Sequence, residues 1–280
     1  MIAGSALPRI TIVTPSYNQG RYLEKTILSV LDQRYPNLEY IIMDGGSSDD
    51  SVDIIRRYEK FLARWVSERD GGQAEAINRG FKLSSGDILG WLNSDDYLEP
   101  GALKIVAEHA QRFPEVGAFV GHGRIVDAAG HETHYIRPNN LSFETFCNWL
   151  SYGHFAQPSC FFRRWAWDLA GPLDETLNCA LDVDLWLRMV KQAPFRPIDT
   201  LLSTTLAHSE AKTVALKHHS KAETVFVVAR AGGADFVREP LDELAAAVTR
   251  YEMRKAKILS LPLAGLVWRI VRTFLGPPTR

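Results

Sequence analysis

The strongest constraint on the fold is an alternation that runs through the first half of the chain, where short β-branched or apolar runs are each followed by a segment of helical period. That pattern builds a mostly parallel sheet covered by helices. Ile10 to Thr14 reads as a strand, after which Tyr22, Leu23, Thr26, Ile27, Val30 and Leu31 recur at helical spacing. Leu38 to Met43 is a second strand, closed by DGGSSDDS. There two glycines turn the chain, and a serine or aspartate can cap a helix carrying Val52, Ile55 and Tyr58. Trp65 to Ser67 is a short third strand; Gly71 and Gly72 break it, and Ala74, Ile77 and Phe81 give the next helix one apolar face. Ile88 to Leu92 is apolar throughout, which predicts a strand at the sheet centre, and it runs straight into Asn93-Ser94-Asp95-Asp96. Acidic groups are therefore expected at the carboxyl end of a central strand, the edge where open α/β sheets bind ligands.

From about residue 114 the alternation is less regular. Val116 to Val120 and Cys160 to Phe162 read as strands, Asp127 to Gly130 as the turn of a hairpin, and Asp182 to Lys191 as an amphipathic helix through Val183, Leu185, Trp186, Leu187 and Val190. After about residue 210 the chain becomes helical and basic. A hydrophobic content of 46% is enough to build a packed core. With 32 basic against 33 acidic residues no long-range field favours nucleic acid, so no nucleic-acid partner is expected and an anionic ligand must be held locally. Cys147, Cys160 and Cys179 are odd in number and widely spaced, which suits neither a disulfide framework nor a CxxC motif and points to a reducing compartment. MIAGSALPRI lacks the pattern of a signal peptide and no apolar run is long enough to span a bilayer, so a cytoplasmic location is expected.

Four segments are predicted to meet at one sheet edge: Thr14-Pro15-Ser16-Tyr17-Asn18, Asp44, Asp70 to Asn78, and Asn93 to Asp96. Each alone is an ordinary turn or capping sequence. Together they offer what a nucleotide diphosphate needs: a polar acceptor for the base, an aromatic wall, and a holder for the divalent cation that offsets charge on the leaving group. Asp44, Tyr17 and Asp95 can supply these in turn.

The runs TPSYNQGRYLEKTILSVLDQRYPNLEYIIMDGGSSDDS, SERDGGQAEAINRGFKLSSGDILGWLNSDD, and FFRR followed by GPLDE and DVDLWLRM resemble the family 2 glycosyltransferases with the GT-A fold, over about residues 9 to 210. The resemblance implies an α/β fold, a Rossmann-like mixed sheet flanked by helices at 1–210, with a helical C-terminal extension at 211–280. It implies that Pro15, Tyr17 and Asn18 line the base pocket, that Asp44 accepts a hydrogen bond from a uracil ring, that Asp70 borders the same pocket and that Asn78 supports the site. NSDD corresponds to the family's DxD, with Asp95 binding Mg²⁺ or Mn²⁺ at the donor diphosphate. Asn93 departs from that pattern at its first acidic position; an amide ligates a hard cation without charge, so metal affinity is expected to be weak until the diphosphate arrives.

A second departure is Leu181, which stands where family members often carry the first of two acids. Asp182 takes the second position, which the family uses as general base, although an aspartate there also suits a helix cap. Asp184 follows two residues later and projects about 200° away on a helix. His208 matches a histidine or nearby polar position that approaches the diphosphate or metal, with simple packing as the other reading. His154 faces either the acceptor or the protein interior.

These residues lead to the expectation of a metal-dependent inverting glycosyltransferase of polysaccharide or glycolipid assembly, moving a sugar from a nucleotide diphosphate donor, by resemblance a UDP-sugar, to a glycan or lipid-linked acceptor. A non-catalytic nucleotide-sugar-binding scaffold is the rival that Asn93 and Leu181 motivate. A nucleotidyltransferase fits less well, since no glycine-rich, lysine-containing triphosphate loop follows the first strand, and no GxGxxG marks a dinucleotide enzyme. From Tyr251 to Leu275 apolar residues are interspersed with Arg254, Lys255, Lys257, Arg269 and Arg272. An interfacial pose at the inner face of a membrane and a helix packed on protein, including an oligomer interface, both suit that stretch. The transferred sugar and the oligomeric state are left open.

Overall fold

The computed structural model describes residues 7–151, 155–208 and 211–260. By proximity the chain divides into two compact units, Met1–Val237 and Arg238–Arg280.

The first unit begins as the sequence pattern predicts. β1 (Ile10–Ser16), α1 (Gly20–Leu31), β2 (Leu38–Asp44), α2 (Ser51–Tyr58), β3 (Arg64–Ser67), α3 (Gln73–Lys82) and β4 (Ile88–Trp91) form the four expected strand-helix repeats. α1 buries Leu23, Thr26, Ile27 and Val30, the i, i+3, i+4, i+7 stripe that drives an amphipathic helix onto a sheet. α3 comes so close to β1 that a Cβ on Gly80 would stand 2.5 Å from a Val13 methyl, so only glycine fits there.

Downstream come β5 (Asp96–Leu98), α4 (Ala102–Arg112), β6 (Ala118–Val126), β7 (Glu132–Ile136), α5 (Phe143–Cys147), β8 (Cys160–Arg163), α6 (Arg164–Ala170), α7 (Leu181–Val190) and β9 (Phe195–Leu206). α8 (Lys212–Ala215) and α9 (Lys217–Arg230) complete this unit, which therefore continues past residue 210 to Val237. β6 and β7 form the hairpin expected around Asp127 to Gly130.

The nine strands among the described residues lie in one mixed sheet of order β3-β2-β1-β4-β8-β6-β9-β5, with β7 beside β6. The first four strands are parallel, whereas β8 runs antiparallel to β4 and β6. The chain steps from β1 to β2 on one side and returns through α3 to β4 on the other. The β1–β4 boundary is thus a topological switch point, the place where open α/β sheets bind ligands beyond the carboxyl ends of their strands.

Two strands escape the sequence reading. β9 carries Arg196, Pro197, Asp199 and three threonines, and its burial does not alternate cleanly, because one half pairs with β6 and the other also with β5. β5 starts inside NSDD and owes its existence to that pairing with β9. All three cysteines are free thiols.

The second unit holds α10 (Arg238–Leu259). The stretch from Tyr251 to Leu275 is described only as far as Ser260; its remainder lies outside the described residues. Among the described residues no helix is long and apolar enough to cross a membrane.

Candidate active site

The parallel register sets Ser16 beside Asp44 and Asp44 beside Ser67, so three successive strands end level with one another. Asp44 is buried. Its Oδ2 accepts from the amides of Gly46 (3.1 Å) and Ser47 (2.9 Å) and from the Ser67 hydroxyl (2.6 Å), while Oδ1 accepts from the Ser47 hydroxyl at 2.5 Å. Gly46 reaches that carboxylate only by taking φ +80, a region glycine enters without strain. Oδ1 thus retains acceptor capacity, and the turn around it is rigid.

Asn18 sits at φ 52, a left-handed conformation that asparagine tolerates, and links this turn to the end of β1. Its amide donates to the Ser47 hydroxyl (2.8 Å) and its side-chain oxygen accepts from the Ser48 amide (2.8 Å). Pro15 pairs with Met43 within the strands, and Tyr17 just beyond stands 63% exposed, an open aromatic wall. Asp70 accepts from the Gly72 amide at 2.9 Å and lies against Gly45. Loss of water around its carboxyl is the largest influence and raises its pKa. Asn78 has a different setting: its amide bonds both backbone groups of Leu173 and the Glu175 carboxylate, which pins the 173–175 loop onto α3.

The NSDD turn is fixed from beneath. The buried Thr26 hydroxyl of α1 bonds the carbonyls of both Ser94 (2.9 Å) and Asp96 (2.7 Å), so Asp95 is presented by a braced backbone. Asp95 Oδ2 stands 2.9 Å from His208 Nε2, and the His208 ring lies against Tyr22 with centroids 4.6 Å apart. His208 Nδ1 is buried without a hydrogen-bond partner among the described residues. Asn93 is engaged on both sides, its carbonyl accepting from Gln73 at 2.7 Å while its NH₂ donates to Asp96 at 3.1 Å. Asp96 is buried, and its carboxyl is pushed well above the usual range, first by burial and then by the Asp95 charge.

α7 approaches this turn through aromatic rings. Trp186, fully buried and one turn after Asp182, stacks on Trp91 at 5.3 Å and 13°, and Trp91 immediately precedes Leu92 and Asn93. Gln157 donates to the Trp91 carbonyl at 3.0 Å, closing the same corner. Asp182 is half-buried, and burial pushes its pKa up to about 6. Asp182 does not cap α7: Ala180 holds that position, and Asp182 Oδ1 instead accepts from the adjacent Val183 amide at 2.8 Å. The Asp182 charge, after burial, also raises the Cys160 thiol pKa, which locates the carboxylate near the start of β8. Asp184 turns away as its spacing requires, buried between Arg188 (2.9 Å) and Arg230 (2.7 Å).

The sequence pattern gives no signal for Gln73, Lys212 or Glu223. Lys212 Nζ lies 3.1 Å from both Gln73 Oε1 and Asn178 Oδ1, so the NSDD turn and the loop before α7 are linked through two side chains. His154 lies outside the described residues.

A topological switch point with an acidic turn after a central strand, in a mixed sheet flanked by helices, defines a GT-A fold. Residues 11–169 match the family described as Glycosyl transferase family 2, and the chain belongs to that family. It is 27% identical over 212 residues to chondroitin synthase of Escherichia coli, a match covering 74% of this chain and 30% of that protein. Among solved structures, S. aureus TarS 1-349 in complex with UDP-GlcNAc superimposes with TM-score 0.65 at 16% identity, over 83% of this chain and 71% of the other. The mannosyltransferase PcManGT from Pyrobaculum calidifontis, in complex with GDP-Man and Mn²⁺, gives 0.62 at 19%, over 98% and 82%.

Proposed function

We propose that this glycosyltransferase moves a sugar from a UDP-sugar to the hydroxyl of a glycan or lipid-linked acceptor, with inversion at the anomeric carbon and with Mg²⁺ or Mn²⁺ at the diphosphate. The observation that carries the reading is the approach of α7 to the NSDD turn, where the Trp186–Trp91 stack brings the helix of Asp182 against the strand that delivers Asp95.

The residues present fit a divalent cation. Two neighbouring ligands of an octahedral ion, each about 2.1 Å from it, stand about 3 Å apart, and Asp95 Oδ2 and His208 Nε2 are separated by 2.9 Å. Binding an ion through Nε2 would place the ring proton on Nδ1, which has no acceptor among the described residues, so His208 would be a ligand without a fixed tautomer. Asp95 and His208 would hold the ion. When bound it offsets the charge that gathers on the leaving diphosphate.

Asp44, through Oδ1, takes the N–H of the base while the Tyr17 ring covers its face, and Asp70 closes the pocket beside Gly45. Asp182 receives the proton of the acceptor hydroxyl as that oxygen attacks the anomeric carbon. A carboxylate whose pKa burial has raised to about 6 is ionised at neutral pH yet more basic than an ordinary aspartate, which suits a general base. Asp184, locked between two arginines, is withdrawn as a second carboxylate, so one displacement and inversion are expected. The UDP preference draws on TarS, whose structure contains UDP-GlcNAc, and the glycan acceptor on chondroitin synthase.

A screen of UDP-, GDP- and dTDP-sugars for released nucleotide, with and without Mn²⁺ and over a panel of glycan and lipid-linked acceptors, tests the proposal. Metal-dependent release from UDP-sugars with an inverted product is the expected outcome. Donor binding with no turnover across the panel refutes it and makes the chain a nucleotide-sugar-binding scaffold.

A further inference from the structure

Outside the residues that face the donor, the most unusual side chain is Glu223. It lies on α9, beyond the region that matches the family, and its carboxylate takes the amides of three consecutive residues. Oε2 accepts from Asn178 (3.1 Å), Cys179 (2.6 Å) and Ala180 (3.0 Å), and Oε1 from Asn178 at 3.0 Å. His219, one turn earlier on α9, meets Oε1 at 2.9 Å through Nε2 and fixes the carboxylate's rotation. Partial burial alone raises the Glu223 pKa, but the amides of Cys179, Asn178 and Ala180 outweigh it and the net pKa is lowered, so the group is an anion at neutral pH.

The three amides belong to the segment that enters α7. Ala180 is the N-cap of that helix and Asp182 follows two residues later. The first turn of an α-helix has amide groups without helical partners and a partial positive charge, so an anion seated there holds the turn in place. No side chain of the N-cap residue makes a capping bond at this terminus, and a carboxylate from another helix serves instead. Asp182 takes its own orientation from the adjacent Val183 amide, which ties the direction of its carboxylate to the backbone that Glu223 grips. Cys179, His219 and Glu223 also place their donor atoms within 4.8 Å of one another, a set that can hold a metal ion. Both Glu223 oxygens are, however, already committed to amides, and the cluster is fully accounted for as a clamp on the backbone.

We propose that Glu223, held by His219, is a positioning residue that sets the first turn of α7 and so aims the Asp182 carboxylate at the acceptor hydroxyl. This rests on the reading of Asp182 as general base. Catalytic groups misplaced by about 1 Å lose about 100-fold in rate while ground-state binding of a ligand elsewhere persists, so the effect falls on kcat. Among the described residues Glu223 makes no hydrogen bond to β1, β2, α3 or the NSDD turn, and the loop it grips reaches Gln73 only through Lys212, so the effect is predicted to fall on kcat rather than on donor KM.

Full-length Glu223→Ala, Glu223→Gln and His219→Ala are compared with the parent and with Asp182→Asn by steady-state kinetics and by amide exchange at residues 178–180. Glu223→Ala is expected to lower kcat by about 10- to 100-fold with donor KM within about twofold. Glu223→Gln, which keeps one oxygen acceptor, recovers part of the loss, His219→Ala gives a smaller one, and exchange at 178–180 accelerates in the same order. A folded Glu223→Ala with parental kcat, or a fall in activity that resides in donor KM, overturns the proposal. Where Glu223→Ala does not fold, Glu223→Gln decides alone: parental kcat and parental exchange overturn it. Near-parental turnover by Asp182→Asn overturns the base assignment itself, and it does so separately from the exchange result, which reports the clamp on residues 178–180 without turnover.

Discussion

Asp182→Asn is predicted to abolish transfer and to stabilise the fold. In the unfolded chain this carboxyl titrates at its ordinary value of 3.8, and in the folded protein burial moves it to about 6. The folded state therefore binds the proton more tightly, and keeping Asp182 ionised costs stability. That cost is absent below pH 3.8, grows between 3.8 and 6, and is complete above 6. The interval from 3.8 to about 6, at about 1.4 kcal/mol for each pH unit, gives about 3 kcal/mol at pH 8 and about half of that at pH 5. Asparagine removes the charge while its oxygen still accepts from Val183. For a unit of this size the gain raises Tm by about 6–12 °C at pH 8. Denaturant unfolding of parent and variant at pH 8, 5 and 4 measures it, alongside turnover, which is expected to fall about 100-fold or more. In the parent, kcat rises as pH passes upward through about 6 and the base ionises. A variant no more stable than its parent at pH 8, or with the same difference at pH 8 and pH 4, refutes the burial argument; near-parental turnover refutes the base.

Asp95→Ala and His208→Ala are each expected to weaken Mn²⁺ binding about tenfold or more and to lower kcat with it, measured by Mn²⁺ titration and by rate against metal concentration. Full activity after chelation contradicts this. Asp44→Asn leaves one oxygen to serve both the Gly46–Ser47 turn and the base, so donor KM is expected to rise and the preference among UDP, GDP and dTDP donors to narrow; unchanged preference counts against its role. We propose the interfacial pose for the C-terminal stretch, under which the whole chain, but not one ending near residue 250, co-sediments with anionic vesicles, basic residues near headgroups contributing about 1 kcal/mol each. If both stay in solution, the C-terminal stretch is a protein-packing segment.

The parallel half of the sheet is legible because its physics is local. Ile88–Trp91 is buried on both faces and so reads as an unbroken apolar run, and the α1 stripe of Leu23, Thr26, Ile27 and Val30 carries the helical period in a dozen residues. The strand ends then place Ser16, Asp44 and Asn93 without further information. β9 is illegible because its stability comes from neighbours remote in sequence; Pro197 and Asp199 are tolerated where the pairing to β6 shifts register. The same division holds in the site. Asp95 and Asp182 belong to local motifs, whereas His208 depends on β9 and Glu223 on a helix packed against α7, so only the assembled fold shows what they touch.

Asn93 gains a physical reason from the assembled site. Its NH₂ donates to Asp96, a buried carboxyl already strained by the Asp95 charge, and its carbonyl accepts from Gln73. An aspartate at this position would set a third carboxylate where that NH₂ now stands, 3.1 Å from Asp96 Oδ2, and like charges at such a distance in a buried turn cannot all stay ionised. The neutral amide instead relieves Asp96 and joins the turn to Gln73, and through Gln73 to Lys212 and the loop before α7. On the other side of the turn His208 stands 2.9 Å from Asp95. In the proposed reading Asp95 and His208 would hold the divalent cation, and the donor diphosphate would supply further ligands to it.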